Sequence, residues 1–235
     1  MIDFLRSSKA HVFVDELADV IEITGEDHHH LSRVLRIQKG DVISAANNGI
    51  IRKYLVDNVD SLKIALKADG DFVKGNESEV IVAVSLFKLD RLEWGIAKAV
   101  ELGVTKIIVG QTRRSTLKLN EKSKNKFEIR TASIVRNAAM QSRRTNLPEV
   151  KVVSDLFGYL KESKASLVLC DPSGSKAVET EGKTIVIGPE GGFDSAEVEG
   201  LGSKTRLWSI SPSILRAETA IAFATGLACL NSEAN

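Results

Sequence analysis

TIVIGPEGGFDSAE, residues 184–197, decides the class of fold. Thr184 to Ile187 read as a buried strand, and Gly188-Pro189-Glu190-Gly191-Gly192 as a loop. Asp194-Ser195-Ala196-Glu197 has the capping-box spacing that opens a helix. A strand, a glycine loop and a helix in succession are the repeating unit of an α/β sheet, whose ligands sit at the carboxyl ends of its strands. Glycines there let the backbone approach a ligand and take turns closed to other residues. The loop lacks the Gly-Lys-Ser/Thr of a P-loop and the G-x-G-x-x-G dinucleotide pattern. On its residues alone it is either a cofactor loop or a tight strand-to-helix connection.

The same rhythm extends both ways. Downstream, Leu207 to Ile210 is strand-like, and Ile214-Leu215-Arg216-Ala217-Glu218-Thr219-Ala220 leads into an apolar helix from Ala217 to Leu230. Arg216 and Glu218 are charges at the head of an apolar segment, where desolvation is costly unless something pairs them. Either they pair with each other at the helix surface, or Arg216 and the helix start face a ligand or a developing anion. Upstream, Val80 to Ser85, Ile107 to Val109 and Ser166 to Cys170 read as strands. Leu89 to Leu102 reads as a helix with Leu89, Leu92, Ile96 and Val100 on one face, and Ser123 to Arg144 as a long basic helix. This alternation predicts a mostly parallel sheet covered by helices. Residues 68–79 are polar and glycine-containing, which marks a linker. Before them the pattern is short strands around one helix, Glu26 to Arg36, with Leu31, Val34 and Leu35 on its face. A hairpin is expected at Asn47-Asn48-Gly49.

At 235 residues two domains are expected, with a core that needs no disulfide or metal staple. Hydrophobic residues at 43% and charged ones at 27% fit a soluble globular protein. Cys170 and Cys229 are far apart and suit a reducing compartment. The opening MIDFLRSSKAHVFVD lacks the apolar core of a signal peptide, and no run of about 18 apolar residues occurs, so a cytoplasmic protein with no membrane partner is expected. Between Lys106 and Lys151 stand twelve Lys/Arg and three Asp/Glu. That surplus of nine, against a whole-chain net charge of +1, leaves the remainder negative by eight. Such asymmetry is either the footprint of a polyanion site or a solvated basic face.

In combination, IGPEGGFDSAE (187–197) and ILRAETA (214–220) resemble the RsmE group of SPOUT RNA methyltransferases. HLSRVLRIQKGD (30–41), KAVELGV (98–104), TRRS (112–115) and MQSRRTNLPEV (140–150) match in the same order, so the resemblance covers nearly the whole chain. It implies an α/β fold in which a trefoil-knotted SPOUT domain, 79–235, follows a small PUA-like β-barrel RNA-binding domain, 1–70, across a linker, 71–78. It implies S-adenosylmethionine as cofactor, a homodimer, and methylation of N3 of a uridine in small-subunit (16S) ribosomal RNA, free or in the assembled subunit. Where the family has Leu-Gly-x-Arg before ILR, this chain has Ile210-Ser211-Pro212-Ser213.

On that resemblance the cofactor is held by Ile187, Gly188, Pro189, Glu190, Gly191 and Gly192, with Ile210, Ile214, Leu215, Ala217 and Thr219. The sulfonium donor is already activated, so no metal is required. The acceptor N3 carries a proton, and catalysis must align donor with acceptor and stabilise the uracil anion. Arg216 is the candidate for that charge, and Glu218 for orienting Arg216 or handling the proton. RNA grip is assigned to His11, Arg33 and Arg36 in the first module, and to Arg113, Arg114, Arg136, Gln141, Arg143 and Arg144 in the second, through phosphates. The target base must be unpaired or flipped out. Two other functions share these features: a non-catalytic RNA-binding or ribosome-assembly factor, and a SPOUT enzyme acting on a ribose 2′-hydroxyl. His28-His29-His30 do not converge on a metal, because consecutive helical positions diverge by about 100°. Cys170 reads as a buried inert thiol, and Trp94 and Trp208 as core.

Overall fold

Residues 7–233 are described in a computed structural model, and the chain divides into two compact units. The first comprises the residues up to Glu77 together with Ala139–Leu147; the second comprises Ser78–Ala138 and the chain from Pro148 onward.

The first unit is one mixed sheet. Its strands are β1 (Ala10–Phe13), β2 (Val20–Ile23), β3 (Val42–Asn47), β4 (Ile50–Val59), β5 (Ile64–Ala68) and β6 (Val73–Lys74), in the order β1-β3-β4-β5-β2 with β6 on β4. Only β1 and β3 are parallel; the other pairings are antiparallel. The expected hairpin closes between Asn47 and Ile50, and Asn48 (φ 46°) and Gly49 (φ 79°) both take the left-handed conformation a two-residue turn of this hand requires. The core gathers Val12, Leu31, Ile43, Tyr54, Ile64 and Leu66 around Met140. Of the expected helix over Glu26 to Arg36, only α1 (Gly25–His29) is α-helical. From His30 the bonding widens, with Leu35 N donating to His30 O at 3.1 Å, and the segment ends at Arg36 with φ 50°. The widened turn leaves Leu31 buried but Val34 and Leu35 exposed.

Two features depart from the expected boundaries. The polar segment 68–79 contains β6, so it is not a free linker. Residues 139–147, expected in the second domain and as far as Arg144 in the basic helix, belong to the first unit; the helix ends at Gln141 and the chain after it forms a strap. Thr145 O accepts from Gly49 N at 3.2 Å. Glu77 accepts from the Thr145 amide (2.8 Å), the Thr145 hydroxyl (2.7 Å) and Arg144 Nη2 (2.8 Å). Chain that follows the basic helix in sequence therefore completes the core and the polar interior of the first unit.

In the second unit six parallel strands form one sheet: β7 (Ile81–Ser85), β8 (Lys106–Gly110), β9 (Glu149–Val153), β10 (Leu167–Ser175), β11 (Thr184–Ile187) and β12 (Thr205–Trp208). Their order is β12-β10-β11-β7-β8-β9, so the strand sequence reverses direction across the sheet. The helices are α2 (Leu89–Leu102), α3 (Glu121–Gln141), α4 (Leu156–Glu162), α5 (Ser195–Leu201) and α6 (Ala217–Glu233). The sequence reading missed β9 and α4. On α2, Leu92, Ile96 and Val100 are buried as expected, whereas Leu89 is partly exposed. Trp94 is 48% exposed beside Lys98, against the expectation of a core residue; it lies about 200° round the helix from Leu92. Trp208 is buried. Gly95 brings α2 and α6 together, since a Cβ there would stand 2.7 Å from Ile221 Cδ1.

Between Cys170 and Ser175 strand β10 bulges away from β12 and then rejoins it at Trp208. Gly174 makes the return possible: a Cβ there would fall 2.5 Å from the Leu207 carbonyl oxygen. Gly174→Ala should therefore destabilise the protein by about 1–3 kcal/mol in denaturant unfolding. An unchanged midpoint would show that β10 and β12 have slack that their register does not suggest.

Candidate functional site

The bulge of β10 opens a cavity of about 150 Å³ at the carboxyl ends of β10, β11 and β12. A single water or ion needs about a tenth of that, so the space suits an organic ligand. Three segments line it: Cys170 to Pro172 from the bulge, the loop after β11, and the stretch from Trp208 into α6. Each is shaped by local chemistry. Asp171 Oδ1 accepts from the Ser173 amide (2.9 Å) and hydroxyl (2.6 Å), which fixes the bulge as an Asx turn. Gly192 N donates to Pro189 O at 2.9 Å, and Gly192 takes φ 68°. Gly188 lies under the Phe193 ring, which would stand 3.1 Å from any Cβ at that position. Where the family pattern has glycine and arginine, Ser211 Oγ accepts from the Ser213 amide at 3.1 Å, and both serines line the cavity.

Of the residues assigned to the cofactor, Ile187, Gly188, Pro189, Glu190, Gly192, Ile210, Ile214, Leu215 and Ala217 line this cavity. Gly191 and Thr219 do not. Gly191 turns toward Arg114, whose Nη1 donates to its carbonyl at 3.0 Å, and Thr219 is exposed. Cys170, Asp171, Pro172, Trp208, Ser209 and Ala220 complete the lining. Ala220 closes the ILRAETA motif; the others stand in no recognisable motif, and only their place at strand ends could have found them. Burial pushes the Cys170 thiol up to about 12, which keeps it protonated and inert as expected.

The two catalytic candidates part company. Arg216 is exposed at the start of α6, its carbonyl accepting the first helical bond from Ala220 N at 2.9 Å. Its side chain makes no ion pair among the described residues. Glu218 is not in the lining: its side chain is 13% exposed and faces Arg91 of α2, with Arg91 Nε 3.8 Å from Oε1. Arg91 also lies 3.5 Å from Glu190 Oε1 through Nη1, so one guanidinium spans the glycine loop and the start of α6. The sequence reading missed Arg91.

The assigned RNA contacts fall into four groups. Arg33, Arg36 and Gln141 are exposed. Arg113 and Arg114 are exposed but anchored to the glycine loop's helix, Arg113 Nη1 lying 2.8 Å and Arg114 Nη2 3.9 Å from the Asp194 carboxylate. Burial pushes the Asp194 carboxyl up, but Arg113 outweighs it and holds the group below its usual range. Asp194 caps α5 by accepting from Ala196 N at 3.2 Å, while Glu197, instead of closing the capping box, accepts from Arg113 N at 2.9 Å. Arg136 is half-buried, and so is Arg143, which donates to the Ser8 hydroxyl and to the Ser8 carbonyl (2.5 Å).

His11 and Arg144 are buried, each with its polar atoms bonded inside the first unit rather than facing solvent. His11 reaches Ser44 Oγ (2.8 Å) and Arg144 O (2.9 Å), and burial lowers it to about 4. Burial pushes the Glu77 carboxyl up, but Arg144 and Thr145 outweigh that and bring it down to about 2. His28 bonds to Asp60 O at 3.0 Å, and no cluster of three His, Cys, Asp or Glu suited to a metal occurs among the described residues. Nor, among them, is any helix long and apolar enough to cross a membrane.

Residues 74–229 match the model of the RNA methyltransferase domain family Methyltrans_RNA. The chain is 32% identical to the ribosomal RNA small subunit methyltransferase E of Bacillus subtilis, over 89% of both chains. Among solved structures it is similar to a predicted RNA methyltransferase from Thermotoga maritima, at 27% identity and TM-score 0.69, covering 95% of this chain and 99% of that one. It shares the fold of the ribosomal RNA small subunit methyltransferase E from Neisseria gonorrhoeae bound to S-adenosylmethionine, at 20% identity and TM-score 0.80, over 93% and 95% of the two chains.

Proposed function

The chain belongs to the RsmE family of RNA methyltransferases, and from that premise we propose that it transfers the methyl group of S-adenosylmethionine to N3 of a uridine in small-subunit ribosomal RNA. The observation that carries the proposal is that IGPEGG and ILRA, two motifs separated in sequence, line one cavity at the carboxyl ends of parallel strands. The lining fits the donor. It holds two acidic side chains, Asp171 and Glu190, and no basic one, which suits a sulfonium cation and disfavours a nucleotide phosphate. Trp208, Ile187, Ile210 and Leu215 give apolar wall for an adenine, and the loop glycines leave backbone open to hydrogen bonding.

S-adenosylmethionine supplies a methyl group that is already activated. The chain's residues therefore need only position and neutralise. The backbone of 187–192 and 210–217 holds the donor. Arg216, together with the amide groups and dipole at the head of the 17-residue α6, presents positive charge to the anion that forms as N3 of uracil loses its proton. Exposed Arg33, Arg36, Arg113, Arg114 and Gln141 offer donors to RNA phosphates. The proposal extends to architecture: a trefoil knot in the parallel sheet, a PUA-like role for the first unit, and a cytoplasmic homodimer. The strand order of the sheet and the family resemblance support it.

The test is methyl transfer from labelled S-adenosylmethionine to small ribosomal subunits that lack the modification, read by nucleoside mass spectrometry. N3-methyluridine in small-subunit RNA is expected. Another methylated nucleoside would keep the reaction and overturn the acceptor. Absence of both transfer and donor binding would sink the proposal.

A further inference from the structure

We propose that Arg91 is the positioning residue of the donor site, and that Glu218 acts through it rather than on the reacting atoms; this rests on the function proposed above. Glu190 lines the cavity from the glycine loop, and Glu218 sits at the head of α6 between Ala217 and Ala220, which line it from the other side. Among the described residues, Arg91 is the one side chain in ion-pair reach of both, at 3.5 and 3.8 Å. These are ion-pair separations rather than short hydrogen bonds, so the restraint is electrostatic.

Glu218 supplies the second observation. Its Oε2 is buried without a hydrogen-bond partner among the described residues, and a carboxylate in that setting depends on a neighbouring cation. The same region of α6 is held sterically one turn further along α2, where a Cβ on Gly95 would stand 3.5 Å from Glu218 Cα. The head of α6 is thus fixed to α2 twice, by close packing at Gly95 and by charge at Arg91. The glycine loop is tied at its far end by Arg114 on Gly191, and at Glu190 by Arg91. Removing Arg91, whose side chain is 35% exposed, frees both walls of the cavity and leaves the buried Glu218 carboxylate without its cation.

The experiment is calorimetric titration of S-adenosylmethionine into the wild type, Arg91→Met, Arg91→Lys, Glu190→Gln, Glu218→Gln and the Arg91→Met/Glu218→Gln double variant. Unfolding midpoints without ligand provide the reference for folding. Arg91→Met should weaken donor binding about tenfold and, by stranding the Glu218 carboxylate, lower the ligand-free midpoint; Arg91→Lys should recover most of both, and the double variant, which removes that charge, should regain the midpoint but not the binding. The double variant should bind no worse than the weaker single, since coupled residues are not additive. In Arg91→Met, methyl transfer at saturating donor should fall by less than donor affinity does, so most of the defect lies in KM rather than kcat. Should Arg91→Met fail to fold, Glu190→Gln cuts one arm without stranding a buried charge, and must still weaken binding.

Wild-type affinity in the Arg91 variants, or losses that multiply in the double variant, would overturn the proposal while leaving the function standing. A wild type that binds no donor would instead overturn the function itself.

Discussion

Arg216→Ala should lower kcat for RNA methylation by about 10²-fold or more while S-adenosylmethionine binding stays within about twofold of wild type. The side chain is exposed and has no ion pair among the described residues, so its loss leaves no buried charge and should not unfold the protein. Its two sequence neighbours, Leu215 and Ala217, line the cavity, and its own carbonyl begins α6. A guanidinium held there is placed to meet an anion that exists only during reaction. Such a contact acts on kcat rather than on ground-state binding. Arg216→Lys should retain part of the rate, since a point charge replaces a planar fork. Steady-state kinetics with donor and RNA varied separately would read both effects. Full turnover by a folded Arg216→Ala protein would remove Arg216 from the reaction.

The second large effect belongs to the strap. Glu77→Gln should cost about 3–5 kcal/mol of folding stability, because Arg144, only 7% exposed, would keep a buried charge without its counter-ion. Acid should act on the same network in two stages. His11 has a folded pKa of about 4 against 6.5 when unfolded, so between those values only the unfolded chain takes up the proton. Stability should fall through that window by on the order of 3 kcal/mol. Glu77 has a folded pKa of about 2 against 4.5 unfolded, so its contribution is fully present above 4.5 and fades as pH falls toward 2. Urea midpoints measured from pH 7 to pH 3 should slope from the first window onward. The upper part of the slope should vanish in His11→Gln, and a curve flat down to pH 4.5 would contradict the burial of His11.

The architecture was legible wherever a single segment carried its own signal. TIVIGPEGG announced a strand and a glycine loop, Asn48-Gly49 announced a two-residue turn, and Leu92, Ile96 and Val100 announced the buried side of α2. What escaped the reading was set between segments. Val73 and Lys74 look like linker but pair with β4. Arg143 and Arg144 look like exposed charge for RNA, yet Ser8 and Glu77, over sixty residues away in sequence, hold the first half-buried and take the second out of water. Glu218 stood in a motif that pointed to the cavity, but the direction of its side chain depends on where α2 places Arg91. Cys170 and Asp171 reach the cavity because of a bulge whose cause is the backbone approach at Gly174. Periodicity and composition are blind to each of these, because none is a property of a short window.

The strap also sets an order of events at the ribosome. The first six strands leave the exit tunnel early, but the amide of Gly49, the carboxylate of Glu77 and the core space filled by Met140 wait for chain that ends at Leu147. About 70 residues separate Glu77 from that point, which at ordinary translation speeds is a delay of roughly 4 to 14 seconds. During that interval the amino-terminal unit has all its strands but an unfilled interior. Its completion is timed by the emergence of the second unit's basic helix and not by its own synthesis.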